Sequence, residues 1–201
     1  MQVLIVGRTK MAGTSRCVGG LTAEGRSLRL LQGPGKNWSV DAPFQIGDVW
    51  ELSCNVLPGL VPPHVEDVVV DGRRRLRSVD NLRTVLLSKI EPWNGDIGSI
   101  FDGRVRFTNN NNGYVCQDGG VPSQSTGFWI PDRDLVLRDD GKHYDFPSRY
   151  GARGLKYVGE PEVKSQLKAG TLLRVSLARW WRPPDVDDME ERCYLQLSGW
   201  F

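Results

Sequence analysis

The sequence has few of the residues that build metal sites or nucleophilic catalytic sites. Its 201 residues include only two histidines and four cysteines, and no CxxC pair or Cys/His cluster brings these residues together. Zinc sites of the common spacings need such pairs, so we predict no metal and no cofactor. The four cysteines are Cys17, Cys54, Cys116 and Cys193.

Long apolar runs are also missing. No stretch approaches the roughly eighteen apolar residues that a membrane-spanning helix requires. The chain starts with Met1 and a short apolar run, Val3–Val6, which has no basic segment before it and is too short for a signal peptide. We therefore predict a cytoplasmic protein with reduced thiols and no membrane association.

Neither sign of charge is in large excess. The net charge is +2, which is smaller than the excess that non-specific nucleic-acid binders often carry, so bulk charge favours neither binding nor its absence. The basic residues are clustered instead, in Arg73–Arg77 and in Arg174–Arg182. The simplest interpretation of such a charge run is a solvated face.

Glycine and proline are plentiful and interrupt the chain every few residues. The 23 glycines and 12 prolines exclude long helices as the main structure and favour short strands joined by turns. One helix is predicted over 78–89, with Ser78 as its N-cap. The predicted strands are Gln2–Thr9, Gly19–Thr22, Ser27–Leu31, Ile46–Cys54, His64–Val70, Gly103–Thr108, Tyr114–Cys116, Phe128–Ile130, Leu135–Arg138, Tyr144–Phe146 and Leu155–Gly159, followed by a terminal pair.

A short repeat predicts that the chain contains two similar halves. Ile46–Ser53 and Ala169–Ser176 align without gaps, and each follows a predicted hairpin, Leu21–Leu31 in one half and Leu135–Phe146 in the other. Two β-rich halves of about a hundred residues are what a duplicated five-stranded barrel would give. A chance match of eight positions is the alternative.

Several segments together resemble a known family. They are Cys17–Leu21, Phe44–Leu52, Pro63–Asp67, Leu172–Trp181 and Leu195–Phe201. In these segments the chain is similar to the bacterial dual OB-containing domain proteins. The resemblance implies a mainly β protein with two OB-like barrels in tandem and one or two short helices. It also implies a nucleic-acid-binding role in prokaryotic conflict systems, and it implies no catalytic residues. The expected domain limits are 1–90 for the first barrel with the helix over 78–89, 91–127 for a loop-rich connection, and 128–201 for the second barrel.

The terminal pair of predicted strands carries the candidate binding residues. Thr171–Trp181 and Cys193–Phe201 alternate with a period of two, and the face that avoids the aliphatic side chains carries cations and rings. Such a face can stack bases and contact phosphates, which predicts a non-enzymatic binder of single-stranded DNA or RNA. The predicted site residues are Arg174, Trp180, Arg182, Arg192, Tyr194 and Trp200.

Two other interpretations of this face remain open. It can be an outer face that another part of the same chain covers, since tryptophan and tyrosine are often partly buried. It can also be the interface of a protein-interaction adaptor, because hot spots are rich in the same residue types.

His64, Glu66 and Asp67 suggest a third function, a hydrolase or nuclease. Adjacent residues of a strand point to opposite faces, so Glu66 and Asp67 cannot act on one substrate atom from a regular strand. A turn or capping role is the preferred interpretation of these residues.

Overall fold

Strands make up most of the regular structure, which confirms the prediction of a mainly β protein. The computed structural model describes residues 1–149, 151–185 and 188–201. Two short 3₁₀ turns, Ile97–Ser99 and Phe101–Gly103, and one α-helix accompany the strands. The chain forms two barrels, one after the other.

The first barrel is a closed ring of five strands. The strands of this half are β1 (Gln2–Lys10), β2 (Ser15–Thr22), β3 (Ser27–Leu31), β4 (Trp38–Ser39), β5 (Asp48–Val56) and β6 (Asp67–Ser78). The ring runs β1–β2–β3–β6–β5 and back to β1, with β3 and β6 parallel and the other pairs antiparallel. Short β4 pairs with β2 outside the ring. Since β4 is not part of the ring, β5 and β6 are the fourth and fifth strands of the OB barrel.

Strand β1 is apolar on both faces because both faces are covered. Val3 and Ile5 point into the first barrel, where they join a core that includes Phe44. Leu4 and Val6 point the other way, into a second apolar cluster on the outside of the barrel. The uninterrupted apolar run near the N-terminus therefore marks a strand between two layers.

The second barrel repeats this strand order with one strand split in two. Its half of the chain contains β7 (Trp93–Gly95), β8 (Arg106–Phe107), β9 (Gly113–Cys116), β10 (Thr126–Pro131), β11 (Leu135–Leu137), β12 (His143–Ser148), β13 (Gly151–Tyr157), β14 (Gln166–Leu167), β15 (Leu173–Leu177) and β16 (Arg192–Trp200). Strand β10 pairs with β15, and β11 pairs with β12. Strands β10 and β11 are consecutive parts of one bent first strand. From β12 the order continues to β13, which is parallel to β16, and from β16 to β15.

The predicted repeat falls on equivalent strands of the two barrels. Gly47 and Gly170 precede β5 and β15 and have positive φ values of 93° and 80°. Each donates its N–H over 2.9 Å to the first strand of its own barrel, Gly47 to Ile5 O and Gly170 to Pro131 O. The hairpins do not correspond in the same way. Leu21–Leu31 forms β2 and β3, whereas Leu135–Phe146 forms β11 and β12, which lie one strand earlier in the order.

The helix is shorter than predicted because its first residues belong to a strand. Helix α1 spans Leu82–Leu87, and Asn81 caps it by accepting a hydrogen bond from the N–H of Thr84 (3.1 Å). Ser78 ends β6 and donates its hydroxyl to Asp48 (2.7 Å), so it is not the N-cap. The basic block before it also lies in β6, where Arg75 makes an ion pair with Asp48 (2.8 Å).

The segment between the barrels contributes strands to the second one. Strand β7 pairs with β10 and β9 pairs with β16, so residues 93–116 extend the second sheet. The domain limits themselves stay a prediction.

An apolar cluster and a buried arginine hold the two barrels together. The cluster joins Leu4 of β1, Leu86 of α1, and Phe128 and Leu172 of the second half. Beside it, Arg174 of β15 lies against the outer face of the first barrel. These contacts place the outer surface of β1 and β2 against the outer surface of β15 and β16.

Glycines in β1 and β2 make room for this arginine. A Cβ atom on Gly19 would lie 2.6 Å from Nη2 of Arg174, and one on Gly7 would lie 3.1 Å from Nη1. We therefore expect Gly19→Val to lower the free energy of unfolding by about 1–3 kcal/mol, the usual cost of overpacking. Chemical denaturation measures the change. Gly72→Ala is the matched control, because its Cβ would meet only ordinary contacts at 3.6 Å, and equal stability of the two variants would contradict the prediction.

Candidate functional site

A groove of about 420 Å³ crosses the outer face of the second barrel. Its floor comes from β12, β13 and β16, and its wall is formed by residues 178–181, the start of the loop that follows β15. Alternation along the strands turns the aliphatic residues inward and leaves polar and aromatic residues on this face. The lining residues include Asn112, His143, Lys156, Arg179, Trp180, Trp181, Tyr194 and Gln196.

Aromatic rings line one side of the groove. The Tyr194 ring lies 6.0 Å from the ring of Trp181 and 6.3 Å from that of Tyr114, measured between centroids. Trp181 is 50% exposed, which leaves a large ring surface open to a ligand. Its backbone exchanges two hydrogen bonds with Arg192, of 3.1 and 2.9 Å, and these fix the loop to the start of β16.

Cations surround the same rings. Lys156 and Arg179 line the groove and are exposed. Arg192 stacks its guanidinium 4.2 Å from the centre of the Tyr114 ring and contacts Glu190 at 3.6 Å. Rings beside positive charges form the chemical combination that stacks bases and contacts phosphates.

The structure brings four of the six predicted site residues to this region. Trp180 and Tyr194 line the groove, and Arg192 lies on the same face of β16 as Tyr194. Arg182 is exposed on the loop that forms the wall. The other two, Arg174 and Trp200, are elsewhere.

Arg174 is buried between the barrels and does not reach the groove. Only 5% of its surface is exposed, and Nη1 donates to Ser198 Oγ (2.9 Å). The cause is the docking of the first barrel on the outer face of β15, which the alternation of one strand cannot predict. For this residue, the interpretation of a face covered by another part of the chain is correct.

Trp200 belongs to the other side of its strand because β16 contains a bulge. Val175 pairs with Leu197 and Arg174 pairs with Gly199, so Ser198 is an extra residue that reverses the alternation. Trp200 consequently packs against the core of the second barrel and stacks on Tyr157, with ring centroids 5.0 Å apart. Its assignment to the same face as Tyr194 is wrong.

Sequence reasoning missed Trp181, Lys156 and Gln196 as members of the site. Trp181 lies beyond the end of β15, where alternation gives no face. Lys156 and Gln196 are direct partners across the parallel pair β13–β16. No local sequence pattern predicts a parallel pairing of strands that are so far apart in the sequence. The basic and aromatic residues at the start of the loop after β15 were the signal that indicated this region.

His64, Glu66 and Asp67 each have a separate contact. His64 Nε2 lies 3.6 Å from Cys193 Sγ, and burial lowers the pKa of His64 to about 4 and raises that of Cys193 to about 12, so both groups are neutral. Glu66 accepts hydrogen bonds from Ser125. Asp67 makes ion pairs with Arg29 (2.5 Å) and Arg179 (2.7 Å). All of these contacts except the ion pair with Arg29 join the first barrel to the second.

The sequence matches the family model of the dual OB-containing domain over residues 1–200. The chain belongs to the dual OB-containing domain family. Comparison with curated proteins finds no match, and comparison with solved structures finds none either.

The outer face of strands 2 and 3 is open in one OB barrel of this chain and covered in the other. OB folds bind oligonucleotides and oligosaccharides on the face of strands 2 and 3 and at the loops 1–2 and 4–5. In the second OB barrel, these strands are β12 and β13, and loop 178–191 is the 4–5 loop, so the groove occupies this position. In the first OB barrel, Gly19 of strand 2 is covered by Arg174.

The described residues contain neither a membrane-spanning helix nor a metal-binding cluster. None of the helices in the described ranges is long and apolar enough to cross a membrane. Within the same ranges, no group of three or more His, Cys, Asp or Glu side chains could hold a metal ion.

Proposed function

We propose that this dual OB protein is a non-enzymatic module that binds single-stranded DNA or RNA in the groove of its second barrel. The observation that carries the proposal is the pair of rings formed by exposed Trp181 and partly buried Tyr194, in a groove that Lys156 and Arg179 also line, on the face where OB folds take their ligands. The rings offer stacking surfaces for unpaired bases, and the cations match the phosphates between them.

A single strand fits this groove better than a duplex does. Stacking on Trp181 and Tyr194 requires bases whose faces are free, and the bases of a duplex are already stacked on each other. The groove contains rings and a few cations, without the broad basic surface that typically tracks a duplex backbone.

Binding of a partner protein is the alternative function. The half-exposed Trp181 beside Arg192 resembles the composition of interface hot spots. A cytoplasmic location and a role in a prokaryotic defence system belong to the same proposal. The location extends the prediction made from the sequence, and the defence role rests on the family resemblance alone.

Fluorescence anisotropy with labelled single-stranded DNA and RNA, measured over a range of salt concentrations, tests the proposal. We expect binding at low salt and a slope of log affinity against log salt of about −2, because three cations, Lys156, Arg179 and Arg192, would each release counterions. A matched duplex is the control and should bind more weakly. Absence of binding to every strand at low salt would refute the proposal, and a salt-insensitive interaction with a purified protein would favour the adaptor.

A further inference from the structure

A second cavity, of about 220 Å³, lies between the two barrels and next to the groove. Ala178, Arg179 and Gln196 line both spaces, so the groove and this inter-barrel cavity are immediate neighbours. Its charged and hydroxyl-bearing lining comes from both barrels and includes Lys10, Arg29, Thr126, Arg174, Ser176 and Arg179. None of the residues that line it is acidic.

A buried guanidinium without an ion pair to any described residue borders this cavity. Arg174 is 5% exposed and has Ser198 Oγ as its side-chain hydrogen-bond acceptor. No ion pair among the described residues includes Arg174. Burying a charge is costly unless a counter-charge or several hydrogen bonds compensate, so this position favours an anion.

Two further polar atoms at the cavity have no partner. Arg29 Nε and Thr126 Oγ1 are both buried, and neither makes a hydrogen bond to any described residue. A ligand with several acceptor oxygens could satisfy a guanidinium donor and a hydroxyl donor together. Phosphate is such a ligand, and arginine is the side chain best suited to bind it.

The charge balance fits a dianion. The cations that line the cavity are Lys10, Arg29, Arg174 and Arg179, and the carboxylates that interact with these cations are Glu66 and Asp67, so four positive and two negative charges leave an excess of two. An internal phosphodiester carries one negative charge. A terminal phosphate monoester carries about −1.5 to −2 at pH 7, which matches the excess.

Contacts between the barrels border the cavity. The N–H of Lys10 donates to Val158 O (2.8 Å), and the carboxylate of Glu66 accepts hydrogen bonds from the N–H and the hydroxyl of Ser125. Lys10, Val158 and Ser125 all line the cavity. A continuous strand would have to pass between barrels that these contacts hold together, whereas the end of a strand in the groove would not.

We propose that the inter-barrel cavity binds the terminal phosphate of a nucleic-acid strand whose neighbouring bases lie in the groove. The inference rests on the proposed function, which it extends from strand binding to recognition of a phosphorylated end. Arg174 and Arg29 contact the phosphate oxygens, Lys10 adds charge, and Trp181 and Tyr194 stack the bases that follow.

Strands that differ only in their end groups test this proposal on the full chain. Short oligothymidylates are compared that carry a 5′-phosphate, a 3′-phosphate or hydroxyl groups at both ends. The fluorescent label is always attached at the end opposite to the one under test. We expect one phosphorylated strand to bind about tenfold tighter than its hydroxyl counterpart, in line with the strength of charge-assisted hydrogen bonds. Which end is preferred identifies the polarity of the strand.

Variants of the cavity separate this site from general electrostatics. Lys10→Glu and Arg174→Lys should abolish the preference for the phosphorylated end, while Lys36→Glu should preserve it. Lys36 is exposed in the first barrel and does not line the cavity, so its variant makes the same change in net charge as Lys10→Glu. Equal affinity for phosphorylated and hydroxyl strands would overturn the proposal, as would a preference that persists in both cavity variants.

A complete absence of strand binding would count against the proposed function and not against the anion site in the cavity. If no strand binds at all, the proposed function is wrong, and thermal unfolding with added inorganic phosphate decides about the cavity alone. A rise in Tm that Arg174→Lys removes would support an anion site, and an unchanged Tm would reject it.

Discussion

Replacing Trp181 and Tyr194 together by alanine should weaken the binding of single-stranded oligonucleotides at least about thirtyfold, because each stacked base contributes about 1–3 kcal/mol. The two rings lie 6.0 Å apart and one of them is half-exposed, so both can meet successive bases. Fluorescence anisotropy at constant low salt measures the loss. This is the largest effect on binding that we expect from any pair of residues.

The conservative double variant Trp181→Phe/Tyr194→Phe is the matched control for this experiment. Phenylalanine retains a ring that can stack and removes the indole N–H and the phenol hydroxyl, so most of the affinity should remain. Circular dichroism confirms that both variants are folded. If the alanine variant is folded and binds as tightly as the unchanged protein, the rings do not hold the strand and the groove is not the site.

Trp200→Ala should lower the stability of the protein and leave strand binding by the folded protein unchanged, which is the reverse of what we expect for the groove variants. Trp200 stacks on Tyr157 and packs against the core of the second barrel, so its loss affects stability and leaves the groove rings in place. Alternation alone does not distinguish Trp200 from Tyr194, because the bulge at Ser198 reverses it, and Gly199 beside the bulge is the one local sign of an irregular strand. The strand was predictable, and the face of its last residues was not.

The parts of the fold that were predictable are those encoded locally. Gly47 and Gly170 mark the starts of equivalent strands because both positions need a positive φ, which glycine adopts without strain. The apolar run Val3–Val6 likewise announces a strand covered on both faces. Such signals lie within a few residues of the element that they specify.

The docking of the two barrels was not predictable from the sequence, and it determines which candidate residues are available. Arg174 has the same pattern around it as a surface arginine, and only its contact with Gly7 and Gly19, over 150 residues away, makes it a buried residue. Lys156 joins the groove through a parallel pairing with Gln196 that is equally non-local. Tyr194 could thus be found from the alternation of its strand, whereas Trp181 and the cavity behind the rings required the fold.

The largest effect on stability is expected for Glu66→Ala, because Glu66 connects the start of β6 to the start of β10. The residue is 4% exposed. Its carboxylate accepts hydrogen bonds from the N–H of Ser125 (2.5 Å), the hydroxyl of Ser125 (2.8 Å) and the N–H of Thr126 (3.2 Å). Alanine would leave these donors buried without an acceptor, at about 1–3 kcal/mol for each unsatisfied group.

Thermal unfolding should therefore show a decrease in Tm on the order of 10 °C for Glu66→Ala, given about 2–4 °C per kcal/mol for a chain of this size. Glu51→Ala is the control, since Glu51 makes an exposed ion pair with Arg74 and its loss should leave Tm nearly unchanged. Equal Tm values for the two variants would show that Glu66 does not connect the barrels.

The same variant also tests the hydrolase interpretation of Glu66. A catalytic carboxylate can be removed without loss of stability but with loss of metal-dependent turnover, whereas a structural carboxylate gives the reverse. Glu66→Gln separates the two further, because its amide oxygen still accepts from the N–H groups of Ser125 and Thr126 and should restore much of the lost Tm. The Glu66 carboxylate already accepts three hydrogen bonds from Ser125 and Thr126. Unfolding at lower temperature with partial recovery by glutamine is therefore the expected result.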